Sequence, residues 1–92
     1  MLSNRTNDEP GDAEALALAA LAATLTDERR ARRFLDLTGL DADELRARAG
    51  ERSLLAALLG FLEAHEPDLV AVAQDIGIKP EMLINARLEL DR

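Results

Sequence analysis

Four arginines within five residues, Arg29, Arg30, Arg32 and Arg33, form the densest concentration of ligand-binding chemistry in the chain. Guanidinium groups meet phosphate and carboxylate oxygens in paired hydrogen bonds, so the cluster suits phosphate, an acidic protein or RNA. The same segment carries its own counter-charges. Glu28 to Arg32 and Arg32 to Asp36 are i,i+4 pairs, Asp27 to Arg30 is i,i+3, and Glu44 to Arg48 adds another i,i+4 pair. Such pairs contribute about 0.2–0.5 kcal/mol each on a helix and account for the charges without a ligand. No aromatic side chain stands among the four to stack a base. The net charge of −7 repels nucleic acid, so any such binding would be local to this arginine-rich segment.

A second constellation runs from Val72 to Ala86 and has helix-turn-helix spacing. Ala73 lets two helices touch, Gly77 takes the turn, and Ile76, Ile78 and Leu83 pin the second helix. Its outward positions are Lys79, Pro80, Glu81, Ile84, Asn85 and Leu88. A DNA reader needs polar and basic groups on that face, and only Lys79 and Asn85 suit it, while Glu81 meets phosphate with the wrong sign. A structural helical hairpin is the simpler reading, and Ile84 and Leu88 then mark apolar surface for a protein.

Metal and acid–base chemistry have little to draw on. His65 is the only histidine and lies among Glu63, Glu66 and Asp68, but no Glu-x-x-His or His-x-x-x-His pair occurs. There is no cysteine for a disulfide, a thiolate or a zinc knot. Ser3 and Ser53 have no activating base nearby in sequence, and the five glycines are scattered rather than gathered into a phosphate cradle. The expectation is a protein with no catalytic residues, no metal and no cofactor.

The elements that would position these groups are helices. Phe34 and Phe61 are the only aromatics in 92 residues, so the core must be leucine and alanine. Residues 1–11 read as a flexible tail closed by Pro10-Gly11, and 12–92 as a single helical domain. Asp12 is a candidate N-cap for a helix over about 13–25, and Thr26 for a second that stops at Gly39. Asp41-x-x-Glu44 has the form of a capping box for a short third helix ending at Gly50. Ser53 can cap a central helix over about 54–65, Pro67 opens a fifth, Gly77 ends it, and Pro80 opens a sixth. No window alternates like a strand. The fold class is all-α, a compact bundle of five to six short helices.

The central run Leu54 to Leu62 has no polar residue, nor does Ala15 to Ala23. Neither run is long enough to cross a bilayer, so both read as core helices that must be buried on all sides. A shift of 38 positions aligns Leu16 with Leu54, Phe34 with Val72, Gly39 with Gly77 and Leu45 with Leu83, which suggests two repeated three-helix units, 12–50 and 51–92. On that reading the two apolar helices cross at their small residues, Ala22 and Gly60. Ala56-x-x-x-Gly60-x-x-x-Ala64 forms a ridge of small side chains that could equally meet another subunit, so a homodimer is one way to cover the apolar surface.

The run from Arg33 to Leu40, Arg-Phe-Leu-Asp-Leu-Thr-Gly-Leu, followed by Leu45 to Gly50, resembles a small all-helical bacterial family described only as a domain of unknown function. The Ala/Leu-rich first helix, Phe61-Leu62, Glu66, Gly77 and Pro80-Glu81 are similar too, so the resemblance spans roughly residues 13–90. The family commonly has a proline at the position of Ala42 and an aspartate at that of Gly60, and this chain departs from it at both. The resemblance implies an all-helical fold and cytoplasmic residence, and it carries no catalytic or binding residues. The N-terminal residues also lack the apolar middle of a signal peptide. The functional expectation is a small protein-interaction or regulatory module with an unidentified protein partner. The alternative is a helix-turn-helix-like nucleic-acid binder.

Overall fold

The structure, a computed structural model, describes residues 8–92, with side chains from Asp12 onward. Six helices follow one another, α1 Asp8–Leu25, α2 Glu28–Thr38, α3 Ala42–Ala47, α4 Arg52–Glu63, α5 Glu66–Ile76 and α6 Pro80–Leu90. There is no strand among the described residues.

Local sequence chemistry sets most of the boundaries. Gly39 and Gly77 end α2 and α5 with φ of 74° and 76°, the left-handed region that only glycine enters without strain. At Asp41 the full capping box forms: its carboxylate accepts from the Glu44 N–H at 2.8 Å, and Glu44 accepts from the Asp41 N–H at 2.9 Å. Pro67 and Pro80 both stand in first turns, where a missing N–H is no loss.

Four boundary expectations need correction. Helix α1 begins at Asp8, so Pro10-Gly11 sits inside its opening turns instead of stopping the chain, and Asp12 is not a cap. A proline in the first turn loses no helical hydrogen bond, so nothing there forces a stop. Asp8 to Gly11 of the tail expected over 1–11 are thus helical, and its residues 1–7 lie outside the described residues. Asp27, not Thr26, caps α2 by accepting from the Arg30 N–H at 3.0 Å. The Thr26 hydroxyl instead donates to the Ala23 carbonyl at the end of α1. The N-cap of α4 is Glu51 and not Ser53, without a side-chain hydrogen bond, and α3 ends at Ala47 before Gly50.

Helices α1, α4, α5 and α6 pack on one another, and α2 lies against α1. The core is their shared interior: Ala17, Ala20 and Leu21 from α1, Leu55, Leu58, Leu59 and Leu62 from α4, Val72 and Ala73 from α5, and Leu83 and Ala86 from α6. Phe34 and Leu45 close it from α2 and α3. Arg52 fastens the far end. Its guanidinium donates to the Leu90 and Glu89 carbonyls at the C-terminal end of α6 and to Glu14 of α1 at 3.1 Å.

The two halves share a local order, helix, helix, left-handed glycine, helix, but their third helices play different parts. Helix α6 packs against α1, α4 and α5, whereas α3 reaches the core through Leu45. The proposed crossing at Ala22 and Gly60 does not occur. Ala22 is exposed, and a Cβ added at Gly60 would meet the Arg87 Cδ of α6 at 3.8 Å. The central helix needs no glycine for close approach here, because its neighbour on that side is the aliphatic stem of an arginine at ordinary contact distance.

Candidate interaction surfaces

The arginines of α2 divide into two pairs. Arg30 is 9% exposed, reaches the Ala23 carbonyl at 3.3 Å, and stands 3.5 Å from Asp75 of α5. Its Nε is buried without a hydrogen-bond partner. Arg33 pairs with Asp68, an α5 carboxylate only 8% exposed, and lies 5.7 Å over the ring of Phe61. That ring packs against Phe34 at 5.2 Å, so the only two aromatics of the chain form the base on which Arg33 rests. Arg30 and Arg33 therefore tie α2 to α5.

Arg29 and Arg32 are the other pair. Both are exposed, and neither has a carboxylate within ion-pair distance among the described residues. The expected Glu28–Arg32 and Arg32–Asp36 pairs do not form, Asp27 meets the backbone of Arg30 and not its side chain, and Arg48 pairs with Glu51 in place of Glu44. Of the α2 arginines, only Arg30 and Arg33 reach tertiary partners among the described residues: the Ala23 carbonyl, Asp75 and the buried Asp68. An exposed pair on one helix gains too little to hold two solvated side chains together.

All four arginines line an open cleft of about 690 Å³ together with His65, Asp27, Glu28, Asp36 and Asp68. Four guanidiniums face four carboxylates, so the cleft holds both signs in balance and lacks the one-signed field that draws in a polyanion. Asp27 titrates below the ordinary carboxylate value of 3.8, chiefly because the Arg30 N–H donates to its carboxylate. His65 is exposed and serves as the backbone N-cap of α5 with no side-chain cap hydrogen bond.

The α5–α6 hairpin forms as its spacing indicates. Ala73 and Leu83 are buried, Ile76 and Ile78 half-buried, and the Ile78 N–H closes onto the Ala73 carbonyl at 2.9 Å. Its outer face differs from the expected one. Ile84 is half-buried against the core and Pro80 is half-buried as well, so each offers only part of its side chain to the surface. Lys79, Glu81, Met82, Asn85 and Leu88 remain exposed, with Glu89 beyond them. One lysine and one asparagine among two glutamates and two apolar side chains make a poor match to a DNA groove.

The surface that sequence reasoning missed is on α1. Its inner side buries Ala13, Ala17, Ala20, Leu21 and Thr24, and the Thr24 hydroxyl is satisfied by the Ala20 carbonyl at 2.8 Å. Its outer side, Ala15, Leu18, Ala19, Ala22 and Leu25, is exposed, with Leu18 at 46% and Leu25 at 38%. These positions follow the i, i+3, i+4, i+7 spacing of one helical face. Single exposed apolar side chains such as Leu37, Val70, Met82 and Leu88 are ordinary, but an uninterrupted face is not. The signal was present in the wholly apolar run Ala15 to Ala23; the number of neighbours available to cover it was not.

Among the described residues no helix is long and apolar enough to cross a membrane, and no three or more histidine, aspartate or glutamate side chains gather as a metal site. No curated protein and no solved structure matches the chain. A family model described as "Protein of unknown function (DUF3572)" matches residues 10–92, as the run from Phe34 to Leu40 suggested, and the chain belongs to that family.

Proposed function

We propose that this member of a family defined without an activity is a non-catalytic protein-interaction module of the cytoplasm. Its docking surface is the open face of α1. The observation that supports the reading is the exposure of Ala15, Leu18, Ala19, Ala22 and Leu25 on a helix whose opposite side is fully buried. Apolar area left in water on a small domain has no stabilising role in the isolated fold, and covering it yields about 25 cal/mol per Å². Arg29 and Arg32, exposed on α2, follow the C-terminal end of α1 in the chain and are polar groups of the kind found at an interface rim.

Capture on the tagged full chain from host lysate, with and without nuclease, tests the reading. Protein retained by the native chain and lost with Leu18→Glu is the expected result. Retention that ignores Leu18→Glu overturns the assignment of α1. Retention that vanishes with nuclease, and that weakens steeply between about 50 and 200 mM salt, replaces it with nucleic-acid binding through Arg29 and Arg32.

A further inference from the structure

We propose that the partner on the open α1 face is a second copy of this chain, its α1 antiparallel to the first across a two-fold axis between Leu18 and Ala19. The inference rests on reading that face as an interaction surface and adds the identity and orientation of its occupant. A two-fold interface requires that residue i meet residue j and that j meet i. The face satisfies this in size. About a point between Leu18 and Ala19, Ala15 lies opposite the partner's Ala22, and Leu18 opposite the partner's Ala19, so a large side chain meets a small one at the centre. No charged residue stands between Ala15 and Leu25, so closing the two helices buries no unpaired charge.

Charge selects the orientation. The N-terminal end of α1 carries Asp8, Glu9, Asp12 and Glu14 without a base, and its C-terminal end runs into the arginines of α2. Asp12 is exposed in the register of the open face, and Glu14 meets Arg52. Arg29 is exposed four residues beyond Leu25 and has no carboxylate partner among the described residues. In the antiparallel pair Asp12 sits opposite the partner's Leu25, at the end of α1 from which the partner's chain turns into the arginine-bearing α2. The juxtaposition of an acidic end with a basic one occurs twice, once at each end of the pair. A parallel pair would instead set Asp12 against Asp12 and Arg29 against Arg29. The face is five residues, three of them alanine, against the roughly 20–30 residues a side of a standard interface, so the association is expected at micromolar rather than nanomolar concentration.

The absence of cysteine from the chain makes the orientation directly measurable. Ala15→Cys and Ala22→Cys, both at exposed positions, are oxidised mildly alone and as a mixture. The antiparallel pair gives a disulfide between the two variants in the mixture and none within either alone, because like positions are then about 10 Å apart along the axis. Sedimentation velocity from about 1 to 300 µM shows dimer growing with concentration, and Leu18→Glu abolishes it. Asp12→Arg and Arg29→Glu each weaken association by about threefold to tenfold, and the double variant recovers it. Disulfides within each variant alone overturn the orientation. A chain that stays monomeric over the whole range overturns the second copy as occupant; if lysate protein is still captured through Leu18, the α1 surface itself stands.

Discussion

Gly60 provides a test of how the helices are packed. A glycine in mid-helix costs about 0.8–1.0 kcal/mol relative to alanine, and the usual compensation is a backbone too close to admit a Cβ. The structure has no such approach. A Cβ at Gly60 finds only the Arg87 Cδ, at 3.8 Å, an ordinary van der Waals distance to an aliphatic stem. Arg87 is held in place by Glu63 at 3.0 Å and Asp91 at 2.7 Å, and the Glu63 hydrogen bond above all raises its pKa, so the added methyl packs without displacing a charge. Gly60→Ala is therefore expected to stabilise the chain by about 1 kcal/mol, the helix propensity plus a few tenths from a half-buried methyl. For a domain of this size that is a rise of about 4–8 °C in Tm. Gly77→Ala is the matched control of opposite sign. Nothing lies within 4 Å of its added Cβ either, but its φ of 76° costs a non-glycine residue about 1–2 kcal/mol. Urea denaturation of both variants followed by circular dichroism measures the pair. A Gly60→Ala chain less stable than the native one would refute the packing described here and restore a close helix crossing at that position.

Other expectations follow from the same structure. Phe34→Ala removes a fully buried ring and its tilted contact with Phe61, and should cost about 3–5 kcal/mol in chemical denaturation, a large share of the roughly 5–15 kcal/mol of an ordinary domain. Asp27→Ala should destabilise α2, whereas Asp27→Asn, an equally good cap, should not. Because the folded pKa of Asp27 is depressed, its contribution is complete above 3.8 and is lost as pH falls through the lower folded value; in Asp27→Ala that part of the acid limb of a stability–pH profile should disappear. Arg33 and Asp68 should show a coupling of about 0.5–1 kcal/mol in a double-mutant cycle, since the arginine is 44% exposed and screened by water on that side.

What the sequence discloses is what is decided within a few residues. Gly39, Gly77, Pro67, Pro80 and the Asp41–Glu44 box act through their own turns, and each sits where its spacing places it. Thr26 against Asp27, and Ser53 against Glu51, are choices between neighbouring positions that differ by which backbone N–H ends up unpaired, and that depends on the path of the connecting turn. The arginines mislead in a different way. Their nearest carboxylates in sequence are solvated, while Asp68 and Asp75, some 35 to 45 residues away, are brought beside them by the packing of α2 near α5. The apolar character of α1 is plain from composition, yet its exposure depends on how many other helices lie around it, and those cover only one side.

The central claim is that the outer face of α1 is an interaction surface. Hydroxyl-radical labelling of the native chain, alone at low concentration and again in its captured or self-associated complex, tests it without altering a residue. In the isolated chain Leu18, Leu37 and Leu88 should label broadly in line with exposures of 46%, 65% and 52%. In the complex, labelling at Leu18 and Leu25 should fall several-fold while Leu37 is unchanged. Unaltered labelling at Leu18, with protection moving to Leu37 or Leu88, would contradict the account.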